Sequence, residues 1–436
     1  MDDNLDRMVS RRTFLRRGSC AALGLAGLTS QMLTMRSIAA AVDGLVFPDY
    51  RALVCVFMFG GNDNGNTLIP WDGGNENHAD YARERSTLAL TAEQLAGTII
   101  SPRNTSGRRF AFHPAMADLH GLFEGGNLSV LSNVGTLLHP VTKAQYASRT
   151  VPLPSQLFSH DDQQEQWQLS RPDATDGVGW GGRIADLLQA SGASADSGVS
   201  MNISLAGTST FMSGRSVVPY SVGRSGVSVL NTSNLGSSDE RSIVKQALLD
   251  MYAAGDDPSQ PNRNAMRSAV SDVAGRAVVT ADLLDARLDE APIATTVPPG
   301  NSLASQLATV AKLIQVSEST LGHRRQIFFV AVGGFDNHDG LIGTDATDGA
   351  HAGRLREVND ALKFFWDELG AINKRRSVTT FTASDFGRTY DSNGDGSDHG
   401  WGSDHLVMGG AQLRGQRIFG AYPTIQEDSL DDVGRG

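Results

Sequence analysis

Three continuous apolar runs, each long enough for one buried strand and each stopped by a turn that presents an aspartate, constrain this chain more than any other feature. The first, Arg51-Ala-Leu-Val-Cys-Val-Phe-Met-Phe59, breaks into Gly60-Gly-Asn-Asp-Asn-Gly-Asn-Thr67 and presents Asp63. The second, Gln326-Ile-Phe-Phe-Val-Ala-Val332, breaks into Gly333-Gly-Phe-Asp-Asn-His338 and presents Asp336 and His338. The third, Val378 to Ala383, is rich in β-branched and aromatic residues and leads to Asp385. Runs without polar alternation suit strands covered on both faces, as in a parallel sheet. Ligands of open α/β sheets bind beyond the carboxyl ends of the strands, so these acids stand where chemistry is usually done. An Asx turn, in which Asp and Asn cap their own backbone, explains Asp63 taken alone.

Helical and strand patterns alternate between these runs. Residues 111–125 read as an amphipathic helix closed by Gly125, Leu128 to Val134 as a buried strand, Leu355 to Leu369 as a second amphipathic helix, and His405 to Met408 as the last strand. A β-α-β order on each side of a long excursion at about 207–320 predicts an α/β fold, a three-layer α/β/α sandwich with a mostly parallel central sheet. Residues 42–436 are expected to form one domain. Within the excursion, Ile243, Val244, Ala247, Leu248 and Met251 make one apolar stripe and Leu303, Leu307, Val310, Ala311 and Ile314 another. Both stripes are expected to face the core. His113 and His120, inside the first helical pattern, are read as packing or capping residues.

The amino terminus has a different character. Ser10-Arg-Arg-Thr-Phe-Leu-Arg16 is followed by a short, weakly apolar run from Gly18 to Leu28 and by Ala39-Ala-Ala41. This order is that of a signal peptide over residues 1–41, and the paired arginines mark the twin-arginine route. The expectation is a periplasmic or extracellular protein whose partner in export is the twin-arginine translocation machinery. The run is too short for a stable membrane anchor. Loss of residues 1–41 takes away six Arg and three Asp and moves the net charge from −11 to −14. Such an acidic protein is a poor partner for nucleic acid or anionic lipid. Cys20 leaves with the signal, so Cys55 has no partner for an internal disulfide, as suits a protein folded in a reducing cytoplasm before export.

Asp398, His399, Asp404 and His405 fall within eight residues of a Gly-rich loop. Neutral imidazole and carboxylate are the usual ligands of Zn²⁺ and Mn²⁺, although a solvated turn would show the same composition. Together Asp63, Asp336, Asp385, His338, His399 and His405 offer donors for two divalent ions about 4 Å apart, the spacing that activates a nucleophile for in-line displacement. Ser159 precedes a helical pattern at Asp162 to Leu169. It is read equally as a capping residue or as a nucleophile whose pKa a metal lowers.

The twin-arginine signal, the Gly60 to Thr67 turn, Ser159-His-Asp, Gly334-Phe-Asp-Asn-His338, Ser384-Asp-Phe-Gly-Arg388 and Asp398-His-Gly followed by His405 resemble, as an ordered set, the exported proteins grouped as domain of unknown function 1501. That group is similar to the alkaline phosphatase and sulfatase superfamily. The resemblance implies an alkaline-phosphatase-like fold and a two-metal site, with Zn, Mn or Ca as the ions. Asp336, His338 and His405 or His399 would hold one metal, and Asp63 and Asp385 the other. The implied activity is metal-dependent hydrolysis of small anionic phosphate or sulfate esters. The resemblance assigns no nucleophile: Ser159 is chosen for its helix start, Thr67 second because it follows the first acid-bearing turn, and Arg388 is read as a clamp on the substrate anion. Phe386 stands where alkaline phosphatases place a histidine, and the sulfatase signature of Cys, Pro and Arg is lacking. The alternative is an exported binding or assembly protein without turnover. Relatives commonly continue beyond Gly434-Arg-Gly436, so truncation at the carboxyl terminus is a further expectation.

Overall fold

The computed structural model describes residues 47–434 apart from 75, 195–197, 224–225, 228–236, 257–263 and 346. The signal-peptide reading of residues 1–41 lies outside the described residues. Eleven strands are found among those described: β1 (Arg51–Met58), β2 (Leu68–Asp72), β3 (Ile99–Ile100), β4 (Arg109–Phe112), β5 (Leu128–Val134), β6 (Asn202–Ser204), β7 (Tyr220–Ser221), β8 (Arg325–Val332), β9 (Val378–Ser384), β10 (Ser403–Gly409) and β11 (Ile418–Phe419). The helices that matter below are α1 (His78–Arg85), α2 (Ala117–Glu124), α3 (His160–Leu169), α4 (Trp180–Ala190), α5 (Ser238–Asp256), α6 (Ala265–Asp289), α7 (Ser302–Val316) and α8 (Ala350–Ala371).

Eight strands pair in the order β11-β5-β10-β9-β1-β8-β6-β7. β10 runs antiparallel to β5 and β9, and the other pairings are parallel, so the expected mostly parallel sheet is present. Period two along β1 shows why the first run had to be apolar throughout. Val54, Val56 and Met58 enter one core with residues of α2, α7 and α8, while Cys55 and Phe57 enter another against Ala185 of α4 and Trp167 of α3. Each such side chain removed from water stabilises the fold by about 1.5–3 kcal/mol, and both faces contribute. The result is three layers, helices on sheet on helices.

The reversed strand is what builds the site. β10 begins at Ser403 opposite Val134, the last residue of β5, and its neighbour β9 ends at Ser384. Residues 385–402 therefore loop over the carboxyl edge of the sheet and carry Asp385, Phe386, Arg388 and His399 across the ends of β1 and β8.

Three expectations need correction. His405 to Met408 is not the last strand: it lies within β10, and β11 follows and pairs parallel with β5. The stripe on α5 does not face the core: Ile243 is 68% and Met251 54% exposed. α5 packs on α6, and the sheet face it would need is already covered by α7 and α8. The stripe on α7 behaves as expected, with Leu303, Leu307, Val310, Ala311 and Ile314 fully buried. The helix read from Ala111 begins only at Ala117, because Arg109–Phe112 pairs with β2 and β3 in a small antiparallel sheet. Among the described residues no helix is long and apolar enough to cross a membrane.

Candidate metal centre

Gly60 closes β1 at φ +115°, and a Cβ there would lie 2.5 Å from the backbone nitrogen of Asp336. Only glycine lets the turn after β1 approach the turn after β8 so closely. Its N–H donates to Asp385 Oδ2 at 3.2 Å, and its carbonyl accepts from Arg388 at 3.2 Å. Three strand ends are thus held together through one residue's backbone.

Asp385 is 2% exposed, and its Oδ2 also accepts from His160 Nδ1 at 2.7 Å and Gln164 Nε2 at 2.8 Å. His160 opens α3 and Gln164 follows one turn later, so both project from the same face of that helix. The bond to Asp385 raises the pKa of His160, with burial opposing. With Nδ1 donating, Nε2 of the neutral ring carries a lone pair, and it points at Asp336 Oδ2 from 3.4 Å. His399 is arranged alike: Nδ1 donates to the Phe158 carbonyl at 2.7 Å, which leaves Nε2 facing Asp336 Oδ1 at 3.2 Å. Burial lowers the pKa of His399, helped by the nearby His160 and Arg388.

Asp336 collects the remaining contacts. Its Oδ1 lies 2.8 Å from Arg388 Nη1 and 2.9 Å from His338 Nε2. Burial works to raise the pKa of Asp336, but the guanidinium of Arg388 and the imidazoles outweigh it and the pKa is lowered. The Nε2 atoms of His338 and His399 are 3.1 Å apart, and His338 Nδ1 is oriented by Asp398 at 3.2 Å. Phe386 lays its ring against His160 and His399, with centroids 4.8 and 4.7 Å away.

This donor set fits a divalent cation. Ligand atoms of His160, Asp336 and His399 all lie within 4.8 Å of one another. In the neutral rings two lone pairs converge on a carboxylate with no proton between them, and His160 Nε2 is buried without a hydrogen-bond partner. Metal–nitrogen bonds of about 2.0–2.1 Å in a tetrahedron separate two nitrogens by about 3.3 Å, close to the His338–His399 spacing. Nitrogen and carboxylate donors suit Zn²⁺ or Mn²⁺ better than Ca²⁺, which takes oxygen.

The structure therefore gathers Asp336, His338 and His399, with Asp385 behind His160. Six residues singled out in the sequence are not among the clustered ligands. Asp63 is 2.5 Å from Arg85, the last residue of α1, with side chains 1% and 0% exposed. That guanidinium occupies Asp63 Oδ2, and Asp63 is not among the clustered donors. His405 lies within β10, where burial lowers its pKa to about 4, and it is not part of the cluster. Arg388 is 2% exposed and donates to Asp336, the Gly60 carbonyl and Ser397, so it anchors the centre from behind and offers no open clamp. Thr67 is buried, donates to the Asp63 carbonyl and accepts from Asn62. Ser159, beside His160, donates its hydroxyl to Asp162 Oδ2 at 2.7 Å. Asp404 is buried and accepts the Asn133 N–H.

His160 was the ligand that sequence reasoning missed. It stood in the sequence only as the residue after Ser159; the usable signal was His160 and Gln164 one turn apart on the same helix.

A mostly parallel α/β protein with a candidate His/Asp metal centre at the carboxyl edge is the class these features define. The chain belongs to the family described as Protein of unknown function (DUF1501), whose model matches residues 50–433. Among solved structures it is similar to Ps i-CgsB in complex with k-i-k-neocarrahexaose, at 9% identity over 86% of this chain and 69% of that one, with a TM-score of 0.33. It is also similar to the phosphonate monoester hydrolase of Agrobacterium radiobacter, at 11% identity over 86% and 71%, with a TM-score of 0.27. At those scores neither likeness bears on the chemistry of the site. No curated protein matches the sequence.

Proposed function

We propose that this chain is an exported, metal-dependent hydrolase of phosphate or sulfate esters that works with one divalent ion. The observation that carries the reading is the convergence of His160, Asp336 and His399 with buried Asp385 fixing the His160 ring. A carboxylate behind a ligand imidazole sets its tautomer and raises its basicity as a ligand. A divalent cation held there supplies Lewis acidity toward an ester oxygen. Asp385 keeps the proton on His160 Nδ1, and the Phe158 carbonyl keeps one on His399 Nδ1, so both Nε2 atoms face the ion. Ser159 is our nucleophile, with Asp162 placed to take the hydroxyl proton. Phe386 keeps one side of both imidazoles dry. Donors expected for a second ion, Asp63 and Asp385, are engaged by Arg85 and His160. Export rests on the twin-arginine signature over residues 1–41.

The test is metal analysis of the mature protein together with turnover of aryl phosphates and aryl sulfates. One equivalent of metal is expected, with binding and turnover both lost in Asp336→Ala and His160→Ala. Bound metal without turnover would leave the binding or assembly reading in place, and absence of both overturns the proposal. Export is tested separately: Arg11→Lys with Arg12→Lys should trap the precursor in the cytoplasm.

A further inference from the structure

A cavity of about 560 Å³ lies beside the metal centre and shares Phe158 and Arg388 with it. Phe158 joins the two, since the residue that lines the cavity also presents its carbonyl to His399. The lining also includes Trp401, Tyr146 and Leu137. Trp401 is fixed by its indole N–H, which donates to the Thr136 carbonyl at 3.0 Å. Gly135 makes room for it, because a Cβ there would lie 2.6 Å from the indole ring. The aromatic wall is thus a built feature.

Charge around the cavity is one-sided. Asp391, Glu427, Asp431 and Asp432 line it with two cations: Arg388, which is already bonded to Asp336 and Ser397, and Lys143, which lies 3.8 Å from Asp432 and 3.6 Å from Asp428 outside the lining. Burial raises the pKa of Asp391, and the carboxylates of Asp432 and Glu84 raise it further, as expected where acids crowd. Such a space attracts an aromatic body that is neutral or cationic and repels a second anion.

We propose that this cavity receives the alcohol portion of the ester, and that the substrates are singly esterified phosphates or sulfates of uncharged or amine-bearing aromatic alcohols. Nucleotides and polyphosphorylated or polysulfated compounds are excluded. The proposal rests on the hydrolase reading only for the reaction itself: the Ser159 oxygen bonds to phosphorus or sulfur as the ester P–O or S–O bond breaks, the alcohol leaves with the proton taken from the serine, and water then adds its oxygen to phosphorus or sulfur, which releases phosphate or sulfate and restores the serine hydroxyl.

Calorimetric titration with product-like probes tests the cavity without requiring turnover. 1-Naphthalenemethanol and 1-naphthalenemethylamine should bind, and 1-naphthoate should bind at least about tenfold more weakly. Trp401→Ala should weaken the first two by about tenfold. A surface pair, Asp391→Asn with Glu427→Gln, should narrow the gap between amine and carboxylate several-fold, which serves if Trp401→Ala fails to fold. Equal binding of 1-naphthoate, or no response to either variant, overturns the assignment. If the probes discriminate as stated but 1-naphthylmethyl phosphate and sulfate are both inert, the hydrolase reading falls while the ligand class of the cavity stands.

Discussion

His160 Nδ1 sits 2.7 Å from Asp385 Oδ2, a hydrogen bond that joins the first turn of one helix to the end of a central strand across 225 residues of sequence. It makes Asp385 an orienting group behind His160, a candidate ligand. Replacing it by Asn keeps the shape but removes the charge that holds the Nδ1 proton and raises the His160 pKa. Metal affinity of Asp385→Asn is expected to fall about 10–100-fold, with the circular dichroism spectrum unchanged. A competition titration with a chelating dye measures this, and an unaltered affinity would show that the bond does not serve the metal.

Asp63 is predicted to matter for stability and not for metal. Asp63→Asn leaves the Arg85 guanidinium at 0% side-chain exposure without its counter-charge, which costs about 3–5 kcal/mol. The remaining bonds from Arg85 to the carbonyls of Thr389 and Tyr390 cannot neutralise it. Urea unfolding should show the loss while metal stoichiometry in the folded fraction stays at the wild-type value. A drop in stoichiometry would restore Asp63 as a ligand.

That contrast shows what was legible in the sequence. Both-face burial of β1, β8 and β9 could be read from uninterrupted apolar runs, and the turn after each run advertised its acid. Partner choice could not be read. Asp63 and Asp336 look alike as residues that follow Gly-Gly, and only the fold brings Arg85 to the first and imidazoles to the second. His405 and His399 likewise share a short loop sequence, but the start of β10 at Ser403 buries one and leaves the other above the sheet edge. The α5 stripe failed for a related reason. Periodicity marks an apolar face, and it does not say whether a sheet face is still open to receive it.

Phe158 has a backbone φ of +72°, a left-handed conformation that costs a bulky L-residue about 1–2 kcal/mol. The conformation accompanies a backbone that bonds in two directions, its N–H to Gln163 Oε1 and its carbonyl to His399 Nδ1. Phe158→Val should destabilise by about 1–3 kcal/mol, because a β-branched residue fits that region worst. Phe158→Gly should retain metal affinity, since the carbonyl remains, yet lose affinity for 1-naphthalenemethanol with the ring. Thermal melts and the two titrations separate these effects; a loss of metal in the glycine variant would mean that the ring itself supports His399.

Stability should fall on the acid side through histidines buried in the neutral form. Burial lowers the pKa of His405 and His323 to about 4 and of His113 and His351 to about 3, against an ordinary value of 6.5. Below pH 6.5 the unfolded chain therefore binds protons that the folded chain refuses, and each step down in pH favours unfolding until the folded pKa is reached. Asp404 acts in the opposite sense: burial raises it to about 6, so the stability its protonated form contributes is present at low pH and lost as pH rises through 6. The four imidazoles outweigh Asp404, Asp391 and His160, whose raised pKa values act in the opposite sense, and give a net loss between pH 6.5 and 4. For His405 alone the linkage between pH 7.5 and 5 amounts to about 2 kcal/mol, from about 1.4 kcal/mol per pH unit below 6.5. His405→Gln lowers stability at neutral pH by removing a packed ring, yet its denaturation midpoint should change less on acidification than that of the wild type. Curves that stay parallel from pH 7.5 to 5 would show that His405 titrates alike in the folded and unfolded states.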